Sequence, residues 1–308
     1  MIMITLFDKD DRGSIELEDL TGQWYAASPY RAIRTEIEFA TREVQNRVGE
    51  AVVNAAADAY QRGIDDALLN AVRMPIAFLA IMRYSSLSTV SHESTGRKVK
   101  MDDNEKMPFE WMVDRDDRAM RERYYRALDS LYSYLEENKV PEWIGSDVRT
   151  GLRRSIVKSL KEFESVYPIE GSYYVYYMLQ SLIVEAQDNE LEQYFGSSWE
   201  DILAGHGEQP LQSLATRAAI LSSVIIAGER WSLAVFPLEI ARRFSPTYQG
   251  NRASDKISTA ETDWYLDKLR KQKAEVLNKI RAILSHGSGP VGRLLPQNDP
   301  RKKYCTTV

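Results

Sequence analysis

The sequence has almost no cysteine: Cys305 is the only one among 308 residues. This excludes a disulfide framework and a cysteine-based metal site within one chain, and it is typical of a reducing, cytoplasm-like setting. Long apolar runs are also missing, because the strongest, 74–82 and 218–228, fall well short of the roughly 18–20 residues that a membrane span needs. Residues 1–11 show no basic stretch followed by an apolar core, so we expect no signal peptide.

The usual signatures of catalysis are missing as well. The chain has no GxSxG motif, no Walker loop and no GxGxxG motif followed by a helix. His92, His206 and His286 lie in polar or Gly-rich surroundings, without a second ligand at helical spacing. We therefore predict no catalytic residue, no metal site and no cofactor.

One acidic stretch, 8–19, has features of a calcium loop. Aspartate stands at its positions one, three and twelve and glycine at position six. However, Arg12 at position five puts a cation where a ligand oxygen belongs, and only seven residues precede the stretch. We therefore interpret it as a solvated acidic turn that leads into the fold.

Helical periodicity dominates the rest of the chain. Apolar residues spaced by three or four predict helices of about 114–138, 146–167 and 258–285. The middle one has Ser146 and Asp147 as candidate N-caps, ends at Pro168 and carries an apolar stripe of Val148, Leu152, Ile156, Leu160 and Phe163. Strand-like alternation is confined to 2–6 and 97–101.

The helical pattern occurs twice. Helices begin near 29, 65 and 114 in the first half and near 172, 210 and 258 in the second, at offsets of 143, 145 and 144. At an offset of 145, Tyr124, Leu131 and Leu135 correspond to Leu269, Val276 and Ile280. The second helix of each copy is the most apolar, so we expect it to be central. Pro75 should kink the first of these two helices or break it.

We therefore predict an all-α fold of two tandem related helical bundles with irregular arms and an extended C-terminal tail. The predicted parts are an N-terminal arm (1–28), a first bundle (29–138), a connecting helix (139–170), a second bundle (171–285) and the tail (286–308). The arms are the irregular segments 89–113 and 236–257, and we expect the contacts between subunits in these arms and in the tail.

Charge and aromatic residues indicate where partners would bind. The net charge of −5 divides into 24 Lys and Arg against 35 Asp and Glu in residues 1–200, and 16 against 10 in residues 201–308. Such asymmetry suits head-to-tail contacts between subunits. The candidate contact residues are an aromatic group at the start of a helix and the basic residues of the tail: Tyr173, Tyr174, Tyr176, Tyr177, Arg293, Arg301, Lys302 and Lys303.

Several short motifs resemble the head–tail connector (adaptor) proteins of tailed bacteriophages. The apolar helix 71–80, the loop Thr95-Gly96-Arg97 and the helix end 131–138 resemble those connectors, and the longer run 29–285 is similar to a little-characterised phage family of about this size. The matching parts of that run are Pro108-Phe109-Glu110-Trp111, Pro141-Glu142-Trp143, 163–172 and Phe236-Pro237-Leu238-Glu239. The chain differs from the simpler connectors in having two copies of the unit.

The resemblance implies a structural protein with no active site. Such connectors form a ring, commonly of about twelve copies, beneath the portal, where they extend the DNA channel and dock neck or tail proteins. The expected partners are copies of the chain itself, the portal and further neck or tail proteins, but no membrane. The expected location is the virion neck, after assembly in the host cytoplasm, and non-specific contact of the basic residues with packaged DNA stays open.

Two alternatives remain from the residues alone. The first is a monomeric or dimeric helical binding or regulatory module that uses the aromatic group at 173–177. The second is a helical enzyme whose site assembles only in three dimensions.

Overall fold

The structure is a computed structural model. It describes residues 4, 6–10, 12–64, 66–88, 91–93, 96–98, 109–152, 154–230 and 259–287. The α-helices in these residues are α1 (Arg12–Thr21), α2 (Arg34–Val48), α3 (Glu50–Gln61), α4 (Ala67–Ser88), α5 (Glu110–Glu137), α6 (Pro141–Ile144), α7 (Asp147–Leu152), α8 (Leu160–Glu164), α9 (Tyr173–Ala186), α10 (Glu192–Phe195), α11 (Trp199–Ala204), α12 (Leu211–Arg230) and α13 (Thr259–Gly287). Short 3-10 turns lie at Tyr30–Ala32 and Gly196–Ser198, and a π-helical turn lies at Gln187–Leu191.

Helices make up the fold, so the predicted all-α class is confirmed. The one strand pair in the described residues is a small antiparallel hairpin of β1 (Ser91–Glu93) and β2 (Gly96–Lys98). The strand expected at 97–101 is therefore found in part. The described residues of 2–6, Ile4 and Leu6, are not in a strand.

The central place predicted for the two most apolar helices is confirmed. α4 packs against both α2 and α5, and α12 packs against both α9 and α13. A helix covered on several sides is apolar around most of its circumference, which explains why both have a weak amphipathic pattern. Pro75 lies within α4, which continues through it, so the alternative of a break is wrong.

Equivalent contacts recur in the two halves. Glu43 of α2 pairs with Arg83 near the end of α4, and Glu185 of α9 pairs with Arg230 at the end of α12. The second pair lies 142 and 147 residues beyond the first, which brackets the offsets predicted for the repeat. The first and second helices of each half therefore pack in the same antiparallel register.

The third helices repeat the same burial pattern. Their predicted equivalents are all buried: Tyr124, Leu131 and Leu135 in α5, and Leu269, Val276 and Ile280 in α13. One position departs from the pattern, because Lys273 stands where α5 has the buried Leu128. The structure explains it: the Lys273 ammonium lies 2.9 Å from Oε1 of Glu190, which follows α9.

The first helix of each half is interrupted near its end. Gly49 separates α2 from α3 with a φ of 92°, a conformation that favours glycine, and an added Cβ would lie 3.2 Å from Ser146. In the second half the π-helical turn follows α9 directly. A glycine interrupts the helix in the first half and a π-helical turn interrupts it in the second, at similar positions in the repeat.

The single connecting helix expected over 146–167 is wrong. Residues 139–170 instead contain the short helices α6, α7 and α8, with non-helical backbone at 155–159. Ser146 does cap α7, because its Oγ accepts a hydrogen bond from the Arg149 N–H at 3.1 Å. Ser159 likewise caps α8 and accepts from the Glu162 N–H.

The buried side chain of Gln187 accounts for the break. Its Oε1 accepts a hydrogen bond from the Ile156 N–H, and its Nε2 donates to the Arg154 carbonyl, both at 2.9 Å. These bonds take up backbone groups that a continuous helix would pair internally. The apolar spacing across 146–167 is real, but Ile156 and Phe163 reach the core from separate segments.

Other helix boundaries shift slightly from the predictions. α5 begins at Glu110 instead of 114, which shortens the irregular arm predicted at 89–113. The last helix ends at Gly287, close to the predicted break. The arm at 236–257 and the tail from 288 onward lie outside the described residues.

Within the described part of the chain, two helices are long and apolar enough to cross a membrane by length and composition alone. They are α4 and α12, and 56% and 67% of their most apolar windows are buried within the chain. Their central position in the two halves explains the apolar composition without a bilayer.

The Gln187 contact gives a stability test. Replacing Gln187 by Ala leaves the buried Ile156 N–H unpaired, so we expect the free energy of unfolding to fall by about 2–3 kcal/mol. Gln193→Ala is the matched control, since exposed Gln193 loses one surface hydrogen bond and should change it by less than about 0.5 kcal/mol. Urea unfolding followed by circular dichroism measures both, and equal losses would contradict the role given to Gln187.

Candidate assembly surface

Contacts around the carboxylates of Glu43 and Glu16 show the relative directions of the helices in the first half. Glu43 of α2 binds Arg83 near the end of α4, whereas Glu16 of α1 binds Arg73 near the start of α4 and Tyr60 at the end of α3. α4 is therefore antiparallel to α2 and to α3. Burial alone would raise the pKa of Glu43, but its hydrogen bonds, that from Arg83 first, hold the pKa below its usual range.

α5 runs in the same direction as α2. The Tyr124 hydroxyl donates to Glu43 at 3.1 Å, and the Tyr132 hydroxyl, two turns further along α5, donates to the Arg47 carbonyl at 3.1 Å. The starts of α2 and α5 therefore meet the end of α4 at one end of the bundle. Because the hairpin segment also leaves there, we call this the arm end.

Exposed apolar side chains are found on each of these three segments toward the arm end. Phe39 lies one turn before Glu43, and Leu87 lies one turn after Arg83. Three more come from the start of α5. The exposed fractions are 49% for Phe39, 60% for Leu87, 68% for Phe109, 58% for Trp111 and 42% for Met112.

The start of α5 lies outside the packed core. Met120 is the first buried residue among the described side chains of this helix, so about ten residues, or about 15 Å of helix, precede its packed part. A helical end that exposes tryptophan and methionine is typical of a surface that another protein covers.

The predicted aromatic group at 173–177 turns inward. Tyr174 and Tyr176 are buried in the chain's own core, at 3% and 6% exposure, which corrects their place among the contact candidates. Tyr174 stacks on Tyr125 of α5, and Tyr176 donates its hydroxyl to the Val157 carbonyl at 3.1 Å. Tyr173 is half-buried and stacks on another member of the group, Tyr177.

The tyrosines line a joint between the two halves. Tyr177 donates its hydroxyl to Glu136 of α5, which also accepts from Trp143 Nε1 at 2.6 Å and from Arg149 Nε at 2.7 Å. Burial alone would raise the pKa of Glu136, but these bonds, that from Arg149 first, hold it below its usual range. Both oxygens of the Glu136 carboxylate accept hydrogen bonds from side chains of the same chain.

A second carboxylate of α5 completes the joint. Asp129, two turns before Glu136, accepts hydrogen bonds from the Ser172 hydroxyl (3.0 Å) and the Tyr174 N–H (2.9 Å) at the start of α9. An acid at a helix N-terminus also interacts favourably with the helix dipole. Burial raises the pKa of Asp129 in spite of these bonds.

The acidic stretch 8–19 is not a loop. Residues 12–19 belong to α1, so its second half cannot wrap around a cation, and the expected solvated turn is confined to its beginning. Glu16 turns toward Arg73 (2.9 Å) and Tyr60. Among the described residues, no group of three or more His, Cys, Asp or Glu is arranged to hold a metal ion.

The remaining candidates of the sequence analysis lie on other elements or outside the described part. His206 is exposed in the loop between α11 and α12, and His92 belongs to β1. The basic tail residues Arg293, Arg301, Lys302 and Lys303 all lie outside the described residues.

Sequence reasoning placed the subunit contacts in the arm 89–113, which contains Phe109, Trp111 and Met112, but it did not select Phe39 or Leu87. The signal at the end of that arm is the group of apolar residues Phe109, Trp111, Met112 and Val113, well before Tyr124, where the regular apolar stripe of α5 begins. The resemblance had singled out Phe109 and Trp111 as motif residues without assigning them a role.

Comparison with known families gives one match. Residues 39–151 match the model of a family of unknown function, DUF6712. The match covers 113 of the 308 residues, from α2 to α7, and includes all five arm-end residues as well as Glu136. No curated protein and no solved structure matches the chain.

The Glu136 joint predicts a specific loss of stability. Glu136→Gln leaves Arg149 without its counter-charge, so we expect the free energy of unfolding at pH 7 to fall by about 2–3 kcal/mol. Glu137→Gln, at the exposed neighbouring position, should change it by less than about 0.5 kcal/mol. Denaturant titration measures the difference, and similar losses in both variants would contradict the joint.

The same carboxylate predicts an acid dependence. The pKa of Glu136 is lower in the folded chain than its ordinary value of 4.5, so its contribution is complete above about pH 4.5 and is lost as the pH falls through the lower, folded value. Between pH 6 and pH 3 the melting temperature of the Glu136→Gln variant should therefore fall less than that of the native protein. A parallel fall in both would contradict this assignment.

Proposed function

We propose that the protein is a structural component of the neck of a tailed bacteriophage, where copies of the chain form a head–tail connector ring. The ring would lie beneath the portal, extend the DNA channel and dock further neck or tail proteins. The observation that carries the proposal is the start of α5, where Phe109, Trp111 and Met112 are exposed on a helical end that lies outside the packed core.

Such a surface is more typical of a protein that assembles with others than of one that acts as a monomer. Monomeric proteins expose large apolar residues singly, whereas contiguous patches mark interaction sites. Tryptophan, phenylalanine and methionine are enriched at protein interfaces, and tryptophan often dominates their binding energy. Trp111 stands at the middle of the exposed residues at the start of α5 and belongs to one of the motifs that resemble the little-characterised phage family.

The scaffold behind the arm end supports the same role. Asp129 and Glu136 tie α5 to the second half, so the arm end is attached to a preorganised body. A ring under DNA pressure requires subunits whose contact surfaces keep their positions, and preorganised interfaces also lose less conformational entropy on assembly.

The alternative of a helical binding module at 173–177 has less support. Tyr174 and Tyr176 are in the core, so a ligand groove there would require the joint at Glu136 to open. No described contact favours such an opening.

Assembly of the purified protein tests the proposal. We expect discrete closed rings of one copy number in mass photometry and negative-stain electron microscopy, either alone or when mixed with the portal protein of the same phage. A chain that stays monomeric or dimeric up to about 100 µM and does not bind the portal would contradict a connector role.

A further inference from the structure

The hairpin at the arm end has little support from the rest of the chain. β1 and β2 pair with each other, and among the described residues no third strand joins either of them. No extensive packing of either strand on a helix is found in the same part of the chain. A two-stranded hairpin is at best marginally stable in water and needs a further strand or a helix behind it. We therefore expect another chain to complete it.

The register of the hairpin shows which backbone groups are left for that chain. Glu93 lies opposite Gly96 across a two-residue turn, and the hydrogen bond that closes such a turn makes these two a hydrogen-bonded pair. Pairs alternate along an antiparallel ladder, so the next pair, His92 and Arg97, is not hydrogen-bonded. The N–H and C=O groups of His92 and Arg97 therefore point away from the hairpin, one residue at each edge.

The two free edges of the hairpin are complementary to each other. When the β2 edge of one copy meets the β1 edge of the next in antiparallel orientation, Arg97 exchanges both backbone hydrogen bonds with His92 of the next copy. In this register all three residues of β2 lie opposite all three residues of β1, as they do within the hairpin itself. It is therefore the register with the longest overlap of the described strands.

Charge favours this arrangement over the pairing of like edges. The titratable residues of the two strands are His92, Glu93, Arg97 and Lys98. Two β2 edges would place Arg97 opposite Arg97, which is destabilising, and two β1 edges would bring no opposite charges together. The mixed arrangement instead places Lys98 diagonally across from Glu93 of the next copy. It also places Arg97 opposite His92, a residue type that is mostly neutral at pH 7.

We propose that the hairpins of neighbouring copies join edge to edge, β2 of one copy on β1 of the next, into one continuous antiparallel sheet around the ring. This inference rests on the proposed function and names the mode of its subunit contact. Because the two edges differ, the contact is head-to-tail, and such contacts close into rings when the rotation between copies permits it. A closed sheet leaves no free edge, which also protects the assembly from aggregation.

Proline at an outward position tests the pairing of the edges. Arg97→Pro removes the outward N–H of the β2 edge but no hydrogen bond inside the hairpin, a place where proline is tolerated. It should need at least about tenfold more protein to form rings than Arg97→Ala, which lacks the same side chain but retains the N–H. His92→Pro and His92→Ala make the same comparison at the β1 edge. Mass photometry measures assembly, and circular dichroism melting shows whether each variant is folded.

Disulfide formation between copies tests the head-to-tail arrangement. In the proposed register Lys98 lies opposite Ser91 of the next copy at a non-hydrogen-bonded position, where Cα atoms are about 4.5 Å apart, within the range that a disulfide allows. With Cys305 replaced by Ser, the variants Ser91→Cys and Lys98→Cys are mixed before assembly and oxidised mildly. The mixture should give disulfide-linked dimers on a non-reducing gel, whereas either variant alone should give far fewer, because like edges do not meet.

The outcomes separate this contact from the proposed function. If the native chain forms rings but Arg97→Pro assembles as well as Arg97→Ala, the edge contact is wrong and the connector role stands. If the proline variants form rings normally but no longer bind the portal, the edges pair with another protein and not with a second copy. Equal disulfide yields from the mixture and from the single variants contradict the head-to-tail arrangement. If the native chain forms no ring alone or with a portal, both proposals are wrong.

Discussion

Two carboxylates on one face of α5 hold the halves of the molecule together. Asp129 caps the start of α9, and Glu136 binds groups from α6, α7 and α9 at once. Both are partly buried, so each would be costly without its partners. Because α5 also packs along α4, these contacts fix the second half relative to the arm end. The joint is thus a constraint on any assembly that uses both halves.

This joint also explains why a doubled unit differs from two separate units. In the first half, α5 has an additional face that packs against the start of α9 in the second half. Tyr174 and Tyr177 fill the space between α5 and α9. The repeat preserves the packing inside each half, as the Glu43–Arg83 and Glu185–Arg230 pairs show. The contact between the two halves is different, because neither half contains an equivalent of it.

The spacing of apolar residues predicted the features that depend on residues close in the sequence. It missed the features that depend on contacts between residues far apart in the sequence. The central helices and the equivalence of Leu131 with Val276 follow from apolar spacing, because burial repeats with each helical turn. The break at 155–159 depends on Gln187, 31 residues beyond Ile156, which no local pattern reveals. Phe39 and Leu87 were missed for a related reason, because only the packing of α2 against α4 brings them to the same end of the bundle.

Part of the charge asymmetry along the chain is used inside the second half. Residues 162–216 contain ten Asp and Glu and no Lys or Arg, while α12 and α13 contain eight Lys and Arg. In the fold these segments pack against each other: Arg230 pairs with Glu185 and Lys273 with Glu190. These pairs use part of the acidic excess of 162–216 inside the second half, where it is not available to a partner. The net charge of a stretch of sequence therefore gives little direction to subunit contacts, because it does not distinguish internally paired charges from those on the surface.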